Sequence, residues 1–277
     1  MTVPDVKLND GRTIPQLGFG VFQVPPEDTE QVVTQALEVG YRHIDTAEMY
    51  ENEAGVGAAI KASGIPRDEL FVTSKLNNDF HRPDDARRAF DESLQRLGLD
   101  HLDLFLIHWP LPTKYDGDFV STWRTLLEFR EDGRASSVGV SNFEPDHLKR
   151  IIDETGEAPA VNQIEVQPYF TNEAARKASI DAGVKVEAWS PIARGRVAED
   201  PTINEIAKAH DKTASQVTLR WHVERGDIVF PKSTHVERMQ ENFGIFDFSL
   251  SDDEISRIGA LDEGEPGRTG PNPNTFG

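Results

Sequence analysis

Leu70-Phe71-Val72-Thr73-Ser74-Lys75, then Pro83 to Leu97, then Leu102-Asp103-Leu104-Phe105-Leu106-Ile107-His108: two short apolar runs stand on either side of one longer amphipathic segment. The first run ends in an amine and the second in an imidazole. Apolar runs of this length read as buried strands, and an intervening helix is what lets two successive strands lie parallel, through a right-handed crossover.

The same alternation extends in both directions. Runs that read as strands are Leu17 to Phe19, Arg42 to Asp45, Leu70 to Ser74, Leu102 to Ile107, Ser136 to Val140, Val161 to Gln163, Lys185 to Trp189 and Ile228 to Phe230. Helical patterns between them include Thr29 to Val39, Pro83 to Leu97, Thr122 to Glu131, Asp146 to Glu154, Asn172 to Ala182 and Ala214 to Glu224, with Asp28, Ser121 and Thr213 as candidate caps. Eight strand and helix units close most naturally into a (β/α)8 barrel, and 277 residues suit a single barrel domain, which typically needs about 250. Residues 1–16 carry Asn9-Asp10-Gly11 between Val6 to Leu8 and Arg12 to Pro15, the signature of a β-hairpin. Residues 263–277 are rich in Gly, Pro and Asn and should be irregular, either a disordered tail or a flap across the barrel mouth.

With 29 basic and 48 acidic residues the formal charge is −19, so nucleic acid and anionic membranes are repelled over most of the surface. The absence of cysteine excludes disulfides, thiol nucleophiles and thiolate metal sites. Neither a secretory signal nor an apolar stretch of the ~20 residues that span a bilayer is evident, which makes the cytoplasm the default expectation. The short loops imply a monomer.

Catalytic groups of such barrels sit at the C-terminal ends of the strands. Three successive strands deliver Asp45, Lys75 and His108 there, spaced by 30 and 33 residues, about one strand and helix unit. Tyr50, five residues after Asp45, can reach the same spot. Singly, an Asp here is most simply a cap, a Tyr packing and a His a satisfied core side chain. Together they make chemical sense: a phenol is a poor acid at neutral pH, a neighbouring ammonium favours its phenolate, and a paired carboxylate keeps that ammonium charged.

The chain at this point resembles the aldo-keto reductase superfamily over almost its whole length. Gly40-Tyr41-Arg42-His43-Ile44-Asp45-Thr46-Ala47, followed by Tyr50, Glu53 and Gly57, is similar to that family's first signature. The resemblance implies NADPH-dependent reduction of an aldehyde or ketone, with Tyr50 protonating the carbonyl oxygen, Lys75 and Asp45 tuning it, and His108 orienting the carbonyl. It leans toward the bacterial 2,5-diketo-D-gluconate and methylglyoxal reductase branch, hence toward dicarbonyls or keto-sugar acids.

No Gly-x-Gly-x-x-Gly motif follows a strand, which disfavours a Rossmann site. The late strands instead end in Ser141-Asn142, Gln163 and Trp189-Ser190-Pro191, where amides suit a nicotinamide carboxamide and a flat aromatic suits its ring. Val138 to Asn142 and Val161 to Glu165 are similar to the family's sequences. Beyond the last strand, Pro231-Lys232-Ser233-Thr234 with Arg238, Glu241 and Asn242 offers loop amides, a helix start and two cations for a ribose 2′-phosphate, and is similar to the family's NADP signature.

Phe22, Asn77 and Trp109 are the candidate walls of the carbonyl pocket. Two positions depart from the family: Asn77-Asn78 follows Lys75-Leu76 where many relatives carry Trp, and Gln167 stands where His is more usual. Two other readings compete. A nucleotide-sensing subunit on this fold would bind NADPH and turn over poorly, and a metal-dependent barrel hydrolase would need more ligands than His108 and Asp45 provide, so no metal is expected.

Overall fold

A computed structural model describes residues 2–277; Met1, the first residue of the expected hairpin segment, lies outside the described residues. Strands β1 (Asp5–Lys7) and β2 (Thr13–Pro15) pair antiparallel, with Val6 opposite Ile14. The eight barrel strands follow: β3 (Phe19–Gly20), β4 (His43–Asp45), β5 (Phe71–Leu76), β6 (Leu102–Ile107), β7 (Ala135–Ser141), β8 (Val161–Glu165), β9 (Lys185–Trp189) and β10 (Ile228–Val229). They pair in chain order, all parallel, and a parallel bridge from Leu17 to Val229 joins the last strand to the first. The reductions of Leu17–Phe19 and Ile228–Phe230 to two-residue strands both fall at this seam, where Gly18 N donates to Val229 O and Val229 N to Gln16 O in place of a longer ladder.

Helices α1 (Pro26–Val39), α2 (Glu53–Ser63), α3 (Pro83–Leu97), α4 (Phe119–Glu131), α5 (Pro145–Thr155) and α6 (Glu173–Asp181) each follow one strand, β3 to β8 in turn. The pair α7 (Pro201–Ala209) and α8 (Ala214–Glu224) follows β9, and α9 (Val236–Phe243) and α10 (Asp252–Gly259) follow β10. Thr213 caps α8 as expected: its Oγ1 accepts from Gln216 N, and Gln216 Oε1 accepts from Thr213 N. The other two caps are corrected. Pro at the first position of α1 starts the helix three residues before Thr29, so Asp28 lies inside its first turn and favours the dipole without capping it. Helix α4 likewise starts at Phe119, and its cap is Asp118, whose Oδ1 accepts from Ser121 N.

Burial assigns the two ends of the barrel different jobs. At the N-terminal end Leu8 and Ile14 of the hairpin pack against Phe71, Leu104, Leu106, Val161 and Ile228, and Asn9 Nδ2 is tied to Pro159 O. This apolar plug closes the bottom. Outside, Phe90 of α3 stacks on Phe129 of α4 at 4.2 Å with Phe105 of β6 beneath them, so three aromatics fix two helices on one strand. Interior side chains near the C-terminal end are polar: His43, Asp45, Thr73, Lys75, Gln163 and Glu187, all fully or almost fully buried. An apolar floor below and a buried polar layer above leave the mouth as the place for chemistry.

Residues 263–277 are packed against the barrel. Apart from a 3-10 turn at Glu265–Gly267 the segment is irregular, yet Glu165 anchors it: Oε1 accepts from Thr269 N and Oγ1, and Oε2 from Gly270 N. Gln167 is fully buried and adds a bond from Nε2 to Gly267 O. The unusual Gln therefore acts by holding this segment.

Candidate active site

Asp45 ends β4, and the chain turns through a 3-10 helix, Glu48–Tyr50, that carries the phenol back over the strand ends. Buried Asn52 fixes that turn, accepting from Thr46 Oγ1 and donating to the Val21 and Val24 carbonyls. Lys75 is the fifth residue of β5 and His108 immediately follows β6. The structure brings all four together. Lys75 Nζ lies 2.6 Å from Asp45 Oδ1 and 2.8 Å from Thr46 O, and 5.1 Å from the centre of the Tyr50 ring. The Tyr50 and His108 rings meet edge to face at 5.7 Å.

These contacts fix the charges. Burial alone would pull the Lys75 ammonium down, but Asp45 at hydrogen-bond distance opposes it and the ammonium is held above its ordinary value, while burial pushes the Asp45 carboxyl up against the pull of Lys75 and Gln163. His108 is neutral, held well below the usual imidazole range by burial, by Lys75 and by His81. The expectation for Tyr50 is corrected: burial outweighs Lys75, so the phenol is pushed up, not down. The ammonium is close enough to oppose that rise without reversing it.

The candidate nucleotide residues fall on the opposite rim. Ser141 Oγ donates to Gln163 O, and Asn142, in left-handed backbone at φ 63°, donates from Nδ2 to His108 O at 3.0 Å. Trp189 Nε1 donates to Asn142 Oδ1 at 2.8 Å, which stands the indole on the rim beside the tetrad. Ser190, at φ 51°, turns the chain away from β9. Gln163 points both ways: its Nε2 is held by Asp45 Oδ2 at 2.8 Å and by Glu187 Oε2 at 3.0 Å, so only its oxygen is free for a carboxamide. Beyond β10, Lys232, Thr234 and Arg238 are exposed, while Ser233 is buried and bonded to the His235 backbone. Among the described residues neither Lys232 nor Arg238 forms an ion pair within 4.0 Å, in a chain with a large acidic excess. Glu241 accepts from Thr213 Oγ1 and braces α9 on α8, and Asn242 is buried beside it.

On the substrate side Phe22 is 53% exposed with its ring 5.0 Å from Tyr50. Trp109 is covered by Phe276 of the C-terminal segment at 4.4 Å. Asn77 is half-buried, its Oδ1 accepting from Asp79 N. No three His, Asp or Glu side chains among the described residues are grouped as a metal site requires.

Comparison with known proteins settles the family. The aldo/keto reductase family model matches residues 16–263. This chain belongs to that family.

A Mycolicibacterium smegmatis aldo-keto reductase is 50% identical over 273 residues, covering 99% of this reductase and 98% of its relative. The Escherichia coli methylglyoxal reductase DkgA is 43% identical, covering 98% of each chain. Among solved structures, a variant of Gox0644 in complex with NADPH superposes with a TM-score of 0.95 at 42% identity over the full length of both chains. Three residues that matter at this mouth escape a reading by strand ends. Glu187 is a charged residue within a predicted apolar strand, which was its signal; Glu165 lies two residues past the predicted strand Val161 to Gln163, which the structure extends to include it, and Phe276 lies in a segment with no pattern to read.

Proposed function

We propose that this reductase uses NADPH to reduce aldehydes or ketones, dicarbonyls or keto-sugar acids in particular, with Tyr50 as the acid. The observation that carries the reading is the convergence of Tyr50, Lys75, Asp45 and His108 on one side of the mouth, with Trp189 and Asn142 on the other.

The residues present suit the nucleotide. Two exposed cations without acidic partners, Lys232 and Arg238, with Ser233, Thr234, Glu241 and Asn242 around them, would hold the 2′-phosphate end. Ser141, Asn142, Gln163, Trp189 and Ser190 would hold the nicotinamide, whose chemistry is to supply a hydride to the carbonyl carbon. The names of the relatives, methylglyoxal reductase among them, and the nucleotide-bound neighbours support the same assignment.

The chain's own part is proton transfer and orientation. Because burial keeps Tyr50 protonated, the proton is in place when a carbonyl oxygen arrives. Lys75 then stabilises the phenolate left behind, and Asp45 keeps Lys75 charged through the exchange. His108, neutral, can donate to the same oxygen without competing for the proton. Phe22, Asn77 and Trp109 would enclose the substrate.

The test is Tyr50→Phe assayed with a dicarbonyl panel, following the loss of NADPH absorbance and, separately, nucleotide binding by fluorescence titration. NADPH affinity should stay within about twofold while turnover falls by roughly 10²–10⁴-fold, the usual contribution of general acid catalysis. Retention of most of the parent's turnover would exclude Tyr50 as the acid.

A further inference from the structure

Beneath the Asp45–Lys75 pair a second carboxylate has no cation of its own. Glu187 is the third residue of β9, paired in register with Gln163 of β8 and Ile228 of β10, and is completely buried. One amide nitrogen, Gln163 Nε2, bonds both Glu187 Oε2 and Asp45 Oδ2. The other oxygen of Glu187 has no hydrogen-bond partner; its neighbour is His43 Nε2 of β4 at 3.8 Å, which also contacts Thr73 Oγ1 of β5. The titratable and charged groups around Glu187 are thus His43 and Asp45 from β4 and Lys75 from β5; β8 contributes the neutral Gln163, and the β10 partner is apolar.

The charges do not cancel. Lys75 supplies one positive charge, Asp45 and an ionised Glu187 would supply two negative ones, and His43 is neutral because burial holds its imidazole down at about 3. An uncompensated charge in a dry interior is costly, so the layer is balanced only when Glu187 carries a proton. Burial, and then the charge of Asp45, accordingly push this carboxyl up to about 8.

We infer that Glu187 is a positioning residue that acts on the nucleotide through Gln163: protonated it suits the neutral reduced nicotinamide, and ionised it supplies the negative charge that the cationic oxidised ring lacks. Binding of NADP+ therefore favours loss of the Glu187 proton, whereas binding of NADPH does not. The inference rests on the placement of the nicotinamide against Gln163 and Trp189 proposed above.

The experiment measures the dissociation constants of NADP+ and NADPH by fluorescence titration from pH 6.5 to 9, on the parent, Glu187→Gln, Glu187→Asp and Gln163→Leu. Both nucleotides carry the same phosphates, so the ratio of the two constants cancels phosphate titration and isolates the charge on the ring. In the parent, NADP+ should tighten relative to NADPH by about tenfold as pH rises, a typical coupling between two sites. The slope should vanish in Glu187→Gln, which keeps the shape and one acceptor oxygen, and persist in Glu187→Asp. Calorimetry in buffers of different ionisation enthalpy should show about half a proton released per NADP+ bound near pH 7.5 by the parent, the amount a tenfold coupling implies, and none by Glu187→Gln. A purely structural role would shift both constants together. A flat ratio in the parent, or an unchanged slope in Glu187→Gln, overturns the role of Glu187. If a folded Gln163→Leu binds both nucleotides as the parent does, the nicotinamide placement fails and the inference falls with it.

Discussion

Lys75 Nζ sits 2.6 Å from Asp45 Oδ1 with neither side chain more than 3% exposed, an ion pair sealed inside the barrel mouth. A buried pair adds little net stability, because desolvation offsets the attraction, but removing one partner strands the other. Asp45→Asn should cost about 3–5 kcal/mol in denaturant titrations and lower kcat/KM by more than tenfold. Asp45→Asn combined with Lys75→Met should recover much of the stability and none of the turnover. A double variant as unstable as the single one would show that the pair is not what Asp45 stabilises.

The interior layer also sets how stability depends on pH. His43 is held down at about 3 from an ordinary 6.5, so the unfolded chain takes up that proton first, and its contribution is lost as pH falls from about 6.5 toward 3. Glu187 is held up at about 8 from an ordinary 4.5, so the folded chain keeps a proton that the unfolded chain has shed, and stability is lost as pH rises from about 4.5 to 8. Glu187→Gln should therefore outgain its parent by up to about 1.4 kcal/mol per pH unit across that window. Urea titrations at pH 5, 6.5 and 8 check it (pH settings of roughly these values suffice); a gap between variant and parent that does not widen with pH contradicts the assignment.

Two contacts place the C-terminal segment nearest the strand ends, Glu165 on Thr269 and Gly270 and Phe276 on Trp109. Glu165→Ala removes the acceptors of Thr269 and Gly270, and Phe276→Ala uncovers Trp109. Since the barrel does not need either contact, Tm should change little. The carbonyl KM should rise several-fold, and limited proteolysis should cut within residues 268–277. Unchanged KM in both variants would exclude the segment from the substrate pocket.

Arg238 and Lys232 are expected to set the choice between phosphorylated and unphosphorylated nucleotide. A hydrogen bond to a charged group contributes about 1.5–3 kcal/mol, so Arg238→Ala should weaken NADPH binding by roughly 10–100-fold while leaving NADH nearly unaffected. Equal losses for both nucleotides, read by titration, would place the 2′-phosphate elsewhere.

Much of this was legible along the chain because of how a barrel is built. Each strand ends at the mouth, so a residue's position in its strand already says whether it reaches the site, and Asp45, Lys75 and His108 follow from counting. Helix starts were read less well where Pro rather than a polar side chain sets the first turn, as at Pro26.

What the order of residues determines here is the strand and helix alternation, hence the barrel, and which chemical groups its rim receives. What only the folded chain decides is the balance among those groups. Tyr50 meets both an ammonium that favours its charged form and a partly desolvated setting that opposes it, and which one prevails depends on how far the surrounding segments cover the ring. The proton on Glu187 and the closure of residues 263–277 over Trp109 are decided in the same way, by contacts between segments a hundred or more residues apart.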